Sequence, residues 1–237
     1  MRAPADRPLA GALYEAMTFA ARYPFLALPA ARVLGHGIVV DRDTDVVIEG
    51  YPRSGNSFAV AAFAQAQPRP IRIAHHTHAP ANVLTAARLG VPALVVVRDP
   101  EEAAVEFALV KQIGIVRALR GYASFHEALL PRRDGFVVGE FGEVTTDLGP
   151  VIRRVNARFG TSFAEFRHTD DAVRESEEVM EAYWAGREGP GIPVLGRTSA
   201  GADPREADRS ALRERLDAPE HARLLERARR AYRTVRG

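Results

Sequence analysis

The chain has 237 residues, which at roughly 150 per domain reads as one large domain, and its 46% hydrophobic and 26% charged residues place it among globular proteins, away from disordered or fibrous compositions. There is no cysteine, so a disulfide framework, a thiolate metal site and a Cys nucleophile are excluded, and a reducing, cytoplasmic location is expected. Lys111 is the only lysine, so arginine carries nearly all the positive charge. With a net charge of +2 and its bases interspersed among acids rather than gathered in a patch, the chain is not expected to bind nucleic acid.

Residues 8–35 are apolar, but Glu15, Arg22, Pro24 and Arg32 interrupt them and no run approaches 20 apolar residues, which fits neither a signal peptide nor a membrane span. Leu9, Leu13, Met17, Phe19 and Ala20 form a helical stripe, followed by a second piece over 24–33. A helix packed on the core is favoured over a peripheral contact with a membrane or a lipid-like acceptor.

Residues 45–50 are a β-branched run that leads into the loop Gly50-Tyr-Pro-Arg-Ser-Gly-Asn-Ser57, and residues 58–67 are Ala-rich with no helix breaker. Strand, loop and helix in that order bring backbone N–H groups and a helix N-terminus to one point, which attracts anions. A strand over 71–74 precedes His75-His-Thr-His78, a helix follows over 81–89, and residues 93–97 form a continuously apolar strand of the kind covered on both faces. Asp99 at the N-cap, Pro100 at the first helical position and Glu102 two further on make a strong helix start. A strand over 135–139 and a helix over 148–159 continue the alternation, which predicts an α/β fold: a three-layer parallel sheet with a P-loop-like phosphate-binding loop. Charged helices over 170–185 and 204–216, and an amphipathic one over 219–235 with Leu224, Leu225, Ala228, Tyr232 and Val235 inward, make a helical C-terminal part. The predicted organisation is a single domain: 1–40 N-terminal helical, 45–160 nucleotide-binding, 161–237 helical, with the Gly/Pro-rich segment 186–201 either mobile or a cover over a site.

Gly50 to Ser57 fits the spacing G-x-x-x-x-G-x-[ST], except that Asn56 stands where a P-loop carries its lysine. In a nucleoside triphosphatase that lysine reaches the β- and γ-phosphates. The loop instead offers Arg53. Three histidines lie in four residues; in an extended segment His76 and His78 would share one side. No further ligand cluster accompanies them, so no metal is expected. Tyr122, Trp184 and His126 read as packing residues.

Tyr51-Pro-Arg-Ser-Gly-Asn-Ser-Phe58 resembles the 5′-phosphosulfate-binding loop of sulfotransferases that use 3′-phosphoadenosine 5′-phosphosulfate (PAPS). The order of Thr77, His78 and Pro80, then of Arg98, Asp99 and Pro100 after an apolar strand, is similar to the same family. The resemblance implies transfer of a sulfuryl group from PAPS to the hydroxyl or amine of a small-molecule acceptor, with adenosine 3′,5′-bisphosphate as product. It implies His78 as general base and Arg53 as the loop cation at the reacting centre. Ser54, Gly55, Asn56 and Ser57 would bind the 5′-phosphate, Phe58 would pack on the adenine, and Arg98 would bind the 3′-phosphate. The family's C-terminal R-K-G-x-x-G-x-W segment is absent. Its nearest counterpart is Arg197 to Gly201, from which Arg197, Thr198 and Ser199 are expected to reach the 3′-phosphate.

Glu106 departs from the family, which usually has at that position a serine that donates to the 3′-phosphate. A carboxylate about 4 Å from a phosphate charge is repelled by about 4 kcal/mol at an effective dielectric of 20. Glu106 is therefore expected to turn away or to pair with an arginine. The alternative functions are a P-loop kinase or nucleoside triphosphatase, which Asn56 disfavours, and a non-catalytic nucleotide-binding protein.

Overall fold

The computed structural model describes residues 8–185 and 205–237. Four parallel strands, β1 (Val46–Gly50), β2 (Ile73–His75), β3 (Ala93–Val97) and β4 (Val137–Glu140), form one sheet in the order β2-β1-β3-β4. Ile48 pairs with His75 on one side and with Leu94 on the other, so the C-terminal ends of β1, β2 and β3 lie at one edge.

Helices α1 (Pro8–Ala20) and α2 (Pro24–Leu34) precede the sheet. Helices α3 (Asn56–Ala66), α4 (Pro80–Leu89), α5 (Pro100–Lys111) and α6 (Ile115–Leu129) follow or connect its first three strands. After β4 come α7 (Phe141–Thr146), α8 (Gly149–Phe159), α9 (Asp170–Ala185), α10 (Glu206–Leu216) and α11 (Ala222–Arg236). The fold is the expected three-layer α/β arrangement. Every residue of β1 and β3 is buried. Val46, Ile48, Leu94 and Val96 pack with α3, α8 and α9, while Val47, Val95 and Val97 pack with α4, α5 and α6, as alternation along a doubly covered strand requires.

The largest departure from the sequence reading is α6, which that reading left unassigned. It presents Ile115, Ala118, Leu119, Tyr122, Phe125 and Leu129 to the core as one apolar stripe, with Arg117, Arg120 and Ser124 on the other side, and it packs against α1, α5 and α11. Gly121 sits where α1 crosses: a Cβ there would lie 2.2 Å from the Tyr14 hydroxyl. The helix expected over 219–235 is split into a 3₁₀ turn (Pro219–His221) and α11. Leu225, Ala228 and Val235 are buried as expected, Ala231 joins them, and Leu224 and Tyr232 are half-buried at the margin.

Candidate active site

The loop between β1 and α3 is held from both ends. Gly50 has no room for a side chain, because a Cβ would come within 2.3 Å of the Val96 carbonyl oxygen. Tyr51 is buried edge-on among Phe107, Tyr122 and Phe125, and its hydroxyl donates to the Ala118 carbonyl at 2.8 Å. Arg53 adopts a left-handed conformation (φ +68°), uncommon for a residue with a side chain, and Gly55 follows at φ +92° as the N-cap of α3. The Phe141 ring closes over Gly55, 3.1 Å from where a Cβ would stand.

Asn56, at the position of the absent lysine, turns its side chain inward. Its Nδ2 donates to the carbonyls of Gly50 and Tyr51, both at 3.2 Å, so the amide braces the loop and leaves its backbone N–H for an anion. The first hydrogen bond inside α3 runs from Ala59 N–H to the Gly55 carbonyl, so the N–H groups of Asn56, Ser57 and Phe58 come before the helix's own ladder, at its N-terminus. Ser54 is fully buried beneath the loop, and its hydroxyl has no hydrogen-bond partner among the described residues.

The histidine segment is not extended. His76 (φ +57°) and His78 (φ +49°) are both left-handed, so the chain turns at each. His75 ends β2, and its Nδ1 lies 2.5 Å from Nδ1 of His76, one nitrogen donating and the other accepting. The other His76 ring nitrogen, Nε2, meets the Ser57 hydroxyl at 2.9 Å. Nδ1 of His78 lies 3.0 Å from the Gly50 carbonyl. A carbonyl only accepts, so Nδ1 carries the proton and Nε2 keeps its lone pair. Burial pulls the His78 imidazole down to about 4, with the Gly50 bond acting against it, so the ring is neutral at physiological pH.

The strained segment is clamped by a residue that sequence reasoning missed. Glu49, fully buried on the α4 side of β1, accepts from Thr77 N–H at 2.9 Å, Thr77 Oγ1 at 2.6 Å and Asn82 Nδ2 at 3.0 Å on one oxygen, and from His78 N–H at 3.1 Å on the other. Desolvation pushes its carboxyl up to about 7 against those hydrogen bonds. In the sequence Glu49 is only an acid near the end of an apolar strand, and its partners lie about thirty residues on.

Arg98 leaves the end of β3 and donates from Nη1 to the Arg53 carbonyl at 3.1 Å, with its guanidinium 4.3 Å above the Phe141 ring. Asp99 caps α5 as expected, accepting from the N–H groups of Glu101 and Glu102. Glu106 is paired with an arginine, one of the two arrangements expected of it: Arg209 of α10 donates from Nε at 2.5 Å, with the Glu106 and Arg209 side chains 9% and 13% exposed. Burial raises the Glu106 carboxyl, but the Arg209 bond and the charges of Arg209, Arg53 and Arg98 outweigh it and hold the group below its ordinary value. Tyr122 and His126 are buried, and His126 donates from Nδ1 to the Tyr122 carbonyl at 2.9 Å.

A cleft of about 990 Å³ joins these parts. Arg53, Gly55, Asn56, Ser57, Phe58 and His78 all line it, whereas Ser54 lies below its floor and Arg98 and Glu106 stand behind Arg53. Tyr14, Met17, Ala21, Phe107, Ile113 and Phe125 give the cleft an apolar wall, to which His36 and Lys111 add charge near His78; Phe58, Phe141, Val173 and Met180 line it as well, with Glu177. Arg197, Thr198 and Ser199 lie outside the described residues. Among the described residues no group of three or more His, Asp or Glu side chains is arranged to hold a metal ion.

No protein-family model matches the chain, and no curated protein matches it. Among solved structures it is similar to mouse sulfotransferase SULT7A1 complexed with PAP, at 12% identity and a TM-score of 0.40, over 80% of this chain and 89% of that one. So distant a likeness leaves the function to be argued from the site.

Proposed function

We propose that the chain is a single-domain sulfotransferase that moves a sulfuryl group from PAPS to an acceptor hydroxyl, with His78 as general base. The observation that carries the reading is the pairing of two features across one cleft. One is a glycine-containing loop that delivers the N-terminus of α3 and the Arg53 side chain to the cleft. The other is a neutral imidazole whose Nδ1 is committed to the loop's own Gly50 carbonyl.

The residues present fit the donor. The N–H groups of Asn56, Ser57 and Phe58, the Ser57 hydroxyl and the Arg53 guanidinium suit a 5′-phosphate at a helix N-terminus, with Ser54 buried beneath the loop rather than facing it. Phe58, edge-on to Phe166, offers an apolar surface at the end of the cleft expected to take the adenine. A 3′-phosphate near Glu106 would meet a carboxylate neutralised by Arg209, with Arg53 and Arg98 close by.

PAPS supplies the sulfuryl group: the S–O bond to its 5′-phosphate breaks as the acceptor oxygen bonds to sulfur. His78 accepts the acceptor's proton at Nε2, and its Nδ1–H bond to Gly50 keeps the ring in the tautomer that can do so. Glu49 holds the backbone of Thr77 and His78, which fixes the position of that ring relative to the loop. Arg53 offsets the charge that develops on the leaving phosphate.

Calorimetric titration tests the binding half. Adenosine 3′,5′-bisphosphate is expected to bind without a divalent ion and to weaken when Arg53 is replaced by alanine. Binding of ATP with Mg²⁺ in preference to it would favour a kinase or nucleoside triphosphatase instead.

A further inference from the structure

The element that distinguishes this chain's surface is α2. Its Leu28 and Ala31 are buried toward α4, which satisfies the expectation of a helix packed on the core. Its opposite face is also apolar. Phe25 is 73% exposed, Val33 86% and Leu34 72%, with Leu26, Pro29 and Ala30 exposed between them. Phe19 and Tyr23 at the junction with α1, and Ile38 after the helix, extend the exposed apolar surface. A helix that is apolar all round belongs in a core or against another apolar phase, and contiguous exposed patches of this kind mark interaction sites.

Charge selects the partner. Residues 16–40 contain no acid, in a chain with 30 Asp and Glu, while Arg22 and Arg32 flank the exposed face. Their nearest acids, Asp41 and Glu127, belong to neighbouring segments rather than to this face. An apolar face whose own stretch of chain carries cations and no acid complements an anionic bilayer surface, where aromatic and aliphatic side chains enter the headgroup boundary and arginines meet lipid phosphates. No helix among the described residues is long and apolar enough to cross a membrane, which leaves lying on the surface as the mode. The same helices also wall the cleft: Tyr14, Met17, Thr18 and Ala21 of the α1 side and Gly35 to Gly37 after α2 line it.

We propose that the α1–α2 face docks on the surface of an anionic bilayer, so that the cleft draws its acceptor from the membrane side. The docking stands on the patch alone, and only the clause about the acceptor rests on the sulfotransferase reading.

Co-sedimentation of the full chain with phosphatidylcholine vesicles and with mixed phosphatidylcholine/phosphatidylglycerol vesicles tests it, beside size-exclusion chromatography of the lipid-free protein. Binding to the anionic vesicles is expected, about tenfold or more weaker in the quadruple variant Phe25→Ser, Leu26→Ser, Val33→Ser, Leu34→Ser. Arg22→Gln with Arg32→Gln should weaken it about fivefold per arginine and make it less sensitive to salt. All six residues are at least partly exposed and none lines the cleft, so circular dichroism and binding of adenosine 3′,5′-bisphosphate should be unchanged in both variants. A wild-type chain that ignores both vesicles overturns the proposal. If that chain instead forms a dimer that the quadruple variant abolishes, the face belongs to a second copy. Neither vesicle result depends on PAPS turnover, so a failure of docking and a failure of sulfuryl transfer are separately visible.

Discussion

Glu49 makes stability fall with rising pH, opposite to an ordinary ion-paired carboxylate. Its carboxyl is raised in the folded chain from 4.5 to about 7 by desolvation. Below pH 4.5 folded and unfolded chains both hold the proton. Between 4.5 and 7 the unfolded chain ionises while the folded one does not, so the folded state binds more protons and loses stability as pH rises. Above 7 both are ionised and the loss is complete, at about 3 kcal/mol for a shift of that size. Close to 2 kcal/mol of it falls between pH 5 and pH 8. His78 and His126, both pulled down to about 4 by burial, act the other way: they are neutral when folded and charged when unfolded until pH passes their unfolded value of 6.5. The net slope of the wild type is thus a balance, and only a difference against a variant isolates Glu49. Glu49→Gln keeps the shape and an acceptor oxygen for Thr77 and Asn82 but cannot ionise. Urea unfolding at pH 5 and at pH 8 should show the wild type losing about 2 kcal/mol more than the variant between those two values. Equal pH dependence in both proteins would mean that the four donors around the carboxylate keep it ionised throughout and that desolvation does not dominate there.

His78→Ala should lower turnover by about 10²- to 10⁴-fold while nucleotide affinity changes little, measured as kcat against the Kd for adenosine 3′,5′-bisphosphate. Because His78 is held near 4, the acid limb of kcat/KM that belongs to it should lie near pH 4; a limb at 6.5 that vanishes in His78→Ala would contradict its buried, Gly50-bonded state. Glu106→Ser leaves Arg209, beside Arg53 and Arg98, with the more exposed Glu206 at 3.4 Å as a carboxylate partner, and should cost about 1–3 kcal/mol in urea unfolding. The apolar pair Glu106→Leu with Arg209→Met should recover most of that loss, and no recovery would show that the pair is not the source of the cost.

Local signals made the α/β half of the fold legible. β-branched and apolar runs gave β1 and β3, the Asp99-Pro100 start gave α5, and the glycines at 50 and 55 marked a loop whose backbone needs them. The site was legible as a set of residue types, since Arg53, Gly55, Ser57 and His78 come together in one cleft. What escaped was set by distant contacts. Helix α6 is the exception, because its apolar stripe from Ile115 to Leu129 has ordinary helical spacing and was there to be read. The inward amide of Asn56 depends on the loop's own turn, and Glu49 has meaning only beside Thr77 and His78. Glu106 was recognisable as a conflict, but its partner Arg209 stands a hundred residues away on α10.

Turnover of PAPS by the whole chain bears most directly on the proposed chemistry. With labelled PAPS, a panel of alcohols and phenols presented free and in anionic vesicles, and a chelator of divalent ions, release of adenosine 3′,5′-bisphosphate with label on the acceptor is expected from the wild type and not from His78→Ala. ATP hydrolysis or phosphoryl transfer that appears with Mg²⁺, with no sulfuryl transfer under any of these conditions, would contradict it.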